Sequence, residues 1–206
     1  MISKASHASV KVWAPPLALM AFLLLVELGG DPLRGMWRYD RLAILHGDWW
    51  RLWTGNFVHL GWYHWMLNEL GILVYVLLCP DPLDARVWAR RVLLLCPGMT
   101  LGLLLFVPGV NWYVGMSGVI HGFFVLGLLP QVLKKDLIAG GCLVYLLGKI
   151  GWELLAGTPV SDEQALGGAV LVQSHLFGSL SALLYGFAFR SFTQLETWNP
   201  WKKENA

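Results

Sequence analysis

The chain has 206 residues, of which 56% are hydrophobic and 14% charged, and a mean hydropathy of +0.56. Soluble domains carry about 25% charged residues. Here the charges gather between long apolar stretches, which excludes an ordinary soluble enzyme and points to a multi-spanning membrane protein. A formal net charge of +2, carried by loops beside those stretches, implies no nucleic-acid partner.

Apolar windows fall at about 14–28, 59–78, 90–107, 115–130, 137–155 and 168–189, which predicts six helices in a single domain, 1–206. Pro15-Pro16 suits the start of the first, and about a dozen apolar residues follow before Glu27. A signal peptide is the alternative there, but Leu28-Gly29-Gly30-Asp31 makes a poor cleavage site, so a retained helix is expected. The segment 29–56 carries Trp37, Trp49, Trp50 and Trp53 among Arg and Asp, as expected for a loop on the membrane surface with tryptophans at headgroup level.

Placing both termini and the second and fourth loops on one side collects Lys4, Lys11, Arg86, Arg90, Arg91, Lys134, Lys135, Arg190, Lys202 and Lys203 there. The other side has Arg34, Arg38, Arg41 and Arg51, with Lys149 inside a window. Ten against four predicts cytoplasmic termini by the positive-inside rule. Cys79, Cys96 and Cys142 lie in or beside apolar windows without metal-ligand spacing, so neither a disulfide framework nor a metal site is expected.

Polar groups inside spans are costly and call for a reason. The second window opens with His59, His64 and Asn68; the fourth opens with Gly115-Met116-Ser117-Gly118 and continues to His121; the sixth carries His175. All three windows begin at the outer face under this orientation. With a rise of about 1.5 Å per residue, Ser117 and His175 then lie at one shallow depth, with His64 and Asn68 close by.

That grouping suits nucleophilic attack on an acyl group. A neutral imidazole removes the serine proton, and the oxyanion needs preorganised donors. Unpaired amides in the first helical turn, with Asn68 and His64, are candidates. Gly115, Gly118 and Gly122 on one helix and Gly178, Ala182 and Gly186 on another offer small faces for close approach in lipid. No acidic residue occupies an obvious third position, so a Ser–His dyad is expected. His121, one turn below Ser117, is the closest competitor for the base. Lys149 and Glu153, four apart, are expected to neutralise each other. His59 and His64, five apart, do not share a helical face as a zinc pair would. The expected water route is a cavity under the first loop lined by His64, Asn68, Gln173 and Ser174.

Gly115-Met116-Ser117-Gly118, the His59-x4-His64-x3-Asn68 spacing, Trp50-Arg51, and Ser174-His175-x-x-Gly178-x-x-x-Ala182 together resemble the rhomboid intramembrane serine proteases. The resemblance implies an all-α, six-transmembrane-helix bundle with a membrane-associated first loop. It implies Ser117 as nucleophile, His175 as base, His64 and Asn68 as oxyanion donors beside Gly115 and Met116, and supporting places for His59, His121, Gly118, Gly178, Trp50 and Arg51. No cofactor or metal is implied. Ala182 stands where many members have glycine, and Asp48 where a glutamate often precedes Trp-Arg.

The longer run from Gly115 to His121-Gly122 resembles the rhombosortase branch. This implies a bacterial inner-membrane protease whose partners are the lipid bilayer and membrane-anchored proteins with a C-terminal transmembrane helix behind a Gly-Gly segment. A catalytically silent rhomboid-like protein that binds helices is the alternative from a different class.

Overall fold

The computed structural model describes residues 2–79 and 83–193, with the backbone alone for 2–12. Lys202 and Lys203 and the side chains of Lys4 and Lys11, all counted above as cytoplasmic, lie outside what is described.

Each apolar window holds a helix. In chain order the long ones are α1 (Ile2–Glu27), α5 (Trp62–Leu78), α6 (Ala85–Phe106), α7 (Ser117–Leu133), α8 (Leu137–Ala156) and α10 (Val172–Ala188). Between them lie α2 (Gly30–Trp37), α3 (Arg41–Leu45), α4 (Arg51–Thr54) and α9 (Glu163–Leu166). Among the described residues, two helices, α6 and α8, are long and apolar enough to cross a membrane, and α1 from Trp13 with α2, bent by 108°, makes a third candidate. The described residues are therefore those of a mostly helical membrane protein, with two to three apolar spans among them by length and composition. At 17 residues, α5, α7 and α10 are each about 25 Å long.

Local chemistry sets several boundaries. Asp84 starts α6 by accepting from the Arg86 amide at 2.8 Å, and Asp136 starts α8 by accepting from Ile138 and Ala139 at 2.9 and 3.0 Å. Both are N-caps that satisfy amides left open by the first turn. Gly157, with φ +67°, ends α8 in the left-handed conformation that glycine adopts without a Cβ penalty.

Three expectations are corrected. Pro15 and Pro16 lie inside α1 rather than at its start, a placement apolar membrane helices tolerate because neighbouring groups satisfy the freed carbonyls. The second window starts as a helix only at Trp62, so His59 precedes it. Arg90 and Arg91, counted among loop charges, are buried in α6. Arg90 Nε donates to Tyr185 Oη at 2.9 Å and an Arg91 amino group donates to Tyr75 Oη at 2.8 Å.

The first loop is folded. Residues Tyr39–Asp40 (β1) pair antiparallel with Trp112–Tyr113 (β2), Tyr39 opposite Tyr113. Arg51 Nε donates to Asp48 Oδ2 at 2.9 Å, and a guanidinium nitrogen donates to the Arg38 carbonyl at 2.9 Å. Thr54 Oγ1 donates to the Trp37 carbonyl at 2.7 Å. Asp48, the acidic residue ahead of Trp-Arg, thus orients the arginine that ties α2 to α4.

The closest helix pair is α7 with α10. A Cβ on Gly178 would overlap the Gly118 carbonyl, one on Gly118 would lie 2.7 Å from the Ser174 oxygen, and one on Gly122 would lie 2.7 Å from the Gly178 oxygen. Ala182, fully buried, continues this face beside Gly122. Two of the six small residues do other work: Gly115 lies against His64, and Gly186 against Phe192.

Gly178→Ala is expected to destabilise the protein by at least 1–3 kcal/mol, read as a lower thermal unfolding midpoint in detergent, because the added methyl meets backbone that cannot yield. Gly140→Ala, with nothing within 4 Å of the added Cβ, is expected to be neutral or to stabilise α8 by up to about 1 kcal/mol.

Candidate active site

Ser117 is the first residue of α7, and no side chain caps that helix end, so its first-turn amides have no intrahelical acceptor. The chain enters through Gly115, whose φ of +115° and whose contact with His64, 2.5 Å from the position of a Cβ, both require glycine. The Gly115 amide donates to the Gly55 carbonyl at 3.1 Å, and Tyr113 Oη donates to the Gly115 carbonyl at 2.6 Å. Burial pushes the Tyr113 phenol up to about 12, so it stays a neutral donor.

His175, in the first turn of α10, faces Ser117 across the glycine contact, with Nε2 at 3.2 Å from Ser117 Oγ. Its Nδ1 lies 2.8 Å from Glu153 Oε2 on α8. A carboxylate accepts, so Nδ1 carries the ring proton and the Nε2 lone pair receives the serine hydroxyl. The expectation that no acidic residue stands third is thereby corrected. The Lys149–Glu153 ion pair is present at 2.7 Å, but it uses only Oε1, which also accepts from the Val160 amide at 3.1 Å; Oε2 is left for His175. An ionisable residue in an apolar helix asks for a partner, and the sequence spacing offers Glu153 the i, i+4 lysine alone. Which way α8 turns is not encoded in that spacing.

His121 is directed elsewhere. Its Nδ1 lies 2.7 Å from the Ser117 carbonyl, not the hydroxyl, and its Nε2 lies 3.4 Å from Lys149 Nζ. Its ring stacks on His175 with centroids 4.0 Å apart and planes at 14°. Glu69, buried on α5, bonds neither His121 nor Lys149.

His64 Nδ1 accepts from the Leu60 amide at 3.3 Å, which leaves Nε2 as the protonated nitrogen, beside Gly115. Asn68 Nδ2 donates to the His64 carbonyl at 2.8 Å and retains a second hydrogen. His59 is fully buried behind His64, rings edge to face at 5.3 Å, with Nδ1 3.8 Å from Glu27 Oε2. The two histidines touch although they are five apart, because His59 lies outside the helix. The Met116 side chain is in the core. Trp50 is 51% exposed, and Arg51 braces the first loop.

Two cavities meet at Ser117. One, of about 270 Å³, is lined by His64, Ser117 and Ser174 under the segments 109–114 and 169–171. The other, of about 190 Å³, opens between α5 and α8 and reaches Asn68, His121, Lys149 and His175. Neither has a lining residue from the first loop, which corrects the expected roof, and Gln173 lines neither.

The Rhomboid domain family model matches residues 46–192. The chain is 25% identical over 150 residues to "Putative rhomboid protease YdcA" of Bacillus subtilis (strain 168), covering 71% of this chain and 70% of that protein. It is 29% identical over 181 residues to "Uncharacterized protein Rv1337" of Mycobacterium tuberculosis (strain ATCC 25618 / H37Rv), covering 83% of this chain and 72% of that one. With most of its length, including every residue that meets at Ser117, inside the matched region, the chain belongs to the rhomboid family, whose members are generally intramembrane serine proteases.

Proposed function

We propose that the protein is an intramembrane serine endopeptidase with Ser117 as nucleophile and His175 as general base. The observation that carries this reading is the 3.2 Å approach of His175 Nε2 to Ser117 Oγ from two separate helices. Ser117 Oγ attacks the scissile carbonyl as its proton passes to His175 Nε2. The oxyanion is met by the open amides of α7, the second hydrogen of Asn68 Nδ2 and His64 Nε2–H. His175 then protonates the departing amine, and water entering through the cavities resolves the acyl-enzyme.

The six long helices are proposed as six spans in a single domain. The 17-residue helices sit at the short end of the spanning range, with both termini cytoplasmic in a bacterial inner membrane. The substrate is a protein anchored by a C-terminal transmembrane helix. Cavities of about 270 and 190 Å³ at Ser117 favour small side chains beside the scissile bond, and Gly-Gly extends from a helix at low steric cost. Both features support a rhombosortase-type tail.

Ser117→Ala and His175→Ala are each expected to reduce cleavage of a helix-anchored reporter to background in liposomes, whereas His121→Ala retains measurable turnover. A fluorophosphonate probe should label the wild-type protein at Ser117 alone; full cleavage by Ser117→Ala discards the proposal. Asn68→Ala or His64→Ala is expected to lower kcat about 100-fold, measured on the same reporter. Replacing Gly-Gly in the reporter by Val-Val should slow cleavage at least tenfold, and equal rates would remove the tail preference while leaving the protease reading in place.

A further inference from the structure

Five residues from three helices close a ring around the site. Ser117 Oγ meets His175 Nε2 at 3.2 Å, His175 Nδ1 meets Glu153 Oε2 at 2.8 Å, and Glu153 Oε1 meets Lys149 Nζ at 2.7 Å. Lys149 Nζ meets His121 Nε2 at 3.4 Å, and His121 Nδ1 returns to the Ser117 carbonyl at 2.7 Å. Within this ring Glu153 is fully buried and is the only acid. We infer that Glu153 is a positioning residue that acts through His175, making the working unit Ser117–His175–Glu153, with Lys149 as the counter-charge that makes a buried carboxylate tolerable at that place. The inference rests on the proposed serine-protease reading.

The chemistry follows from donors and acceptors. A carboxylate can only accept, so Glu153 Oε2 holds His175 as the Nδ1–H form and turns the Nε2 lone pair toward Ser117. When the serine proton moves to Nε2, the resulting imidazolium keeps its Nδ1–H on Glu153, which stays ionised. The proton leaves from Nε2 to the departing amine, so Glu153 gains and loses nothing. An isolated carboxylate in an apolar helix would be costly. Lys149 and the Val160 amide, both on Oε1, offset its charge without competing for Oε2. His121, stacked on His175 and bonded to the Ser117 backbone, packs against the imidazole face and limits its rotation. Two further ionisable groups face the site from outside the ring: His64 on α5, whose Nδ1 accepts from the Leu60 amide, and Tyr113, whose hydroxyl donates to the Gly115 carbonyl.

Glutamine at 153 keeps the volume but can turn its amide donor toward Nδ1, selecting the tautomer whose Nε2 cannot accept from serine. Glu153→Gln is therefore expected to lower kcat at least about 100-fold with KM unchanged within about threefold, and to slow fluorophosphonate labelling of Ser117 by a similar factor. A purely structural role for the ion pair is separated by the charge-balanced double variant Glu153→Gln with Lys149→Met, which should stay as slow as Glu153→Gln while unfolding near the wild-type temperature. Wild-type kcat in the double variant, or a loss confined to KM, overturns the inference. If the double variant does not fold, Glu153→Asp, which keeps the acceptor, should exceed Glu153→Gln in labelling rate, and equal rates overturn it. Absence of labelling in the wild-type protein instead defeats the protease reading itself, so the two failures are distinguishable.

Discussion

The arrangement of the site depends on one backbone contact, the crossing of α7 and α10 at Gly118 and Gly178, where a single Cβ would collide with the facing carbonyl. Lipid chains offer no hydrophobic drive for helices to associate, so close packing of small residues has to supply the attraction. The same contact sets how near the Ser117 and His175 side chains come. Ser117 precedes Gly118 by one residue and His175 precedes Gly178 by three, so a hydroxyl and an imidazole on facing first turns fall within hydrogen-bond distance. A bulkier face would separate the helices before it altered either side chain.

Beside that contact five polar residues of α7, α8 and α10 satisfy one another. A carboxylate, an ammonium, two imidazoles and a hydroxyl in an apolar interior would each be costly alone, yet here each has a named partner within the ring. Such closed networks restrict rotamers and tautomers as well as offsetting burial. His121 illustrates the point: the Ser117 carbonyl occupies its Nδ1 and Lys149 faces its Nε2, so neither ring nitrogen is turned to the hydroxyl.

The segment between α1 and α5 steadies the same end of the molecule. β1 pairs with β2, the Arg41 amide donates to the Asn111 carbonyl at 2.8 Å, and Thr100 Oγ1 on α6 donates to the Leu52 carbonyl at 2.8 Å. Gly55 continues the arrangement by accepting from the Gly115 amide. The turn that delivers Ser117 is thus braced by a folded first loop, while the cavities open on its other sides under 109–114 and between α5 and α8.

Much of this was legible in the sequence because it is local or periodic. The helices follow from apolar windows, the glycine faces from helical spacing, and the grouping of Ser117, His175, His64 and Asn68 from the shared depth of three helix starts. Tertiary structure decided what spacing does not encode. The rotation of α8 sends Glu153 to His175, 22 residues away, as well as to Lys149 on its own helix. The late start of α5 lets His59 touch His64, and the pairing of β1 with β2 makes the loop expected on the membrane surface a brace. A sequence states which groups share an element and at what height they stand. Which faces meet is set by packing among elements, and that packing converted an expected pair into a hydrogen-bonded series of serine, histidine and glutamate.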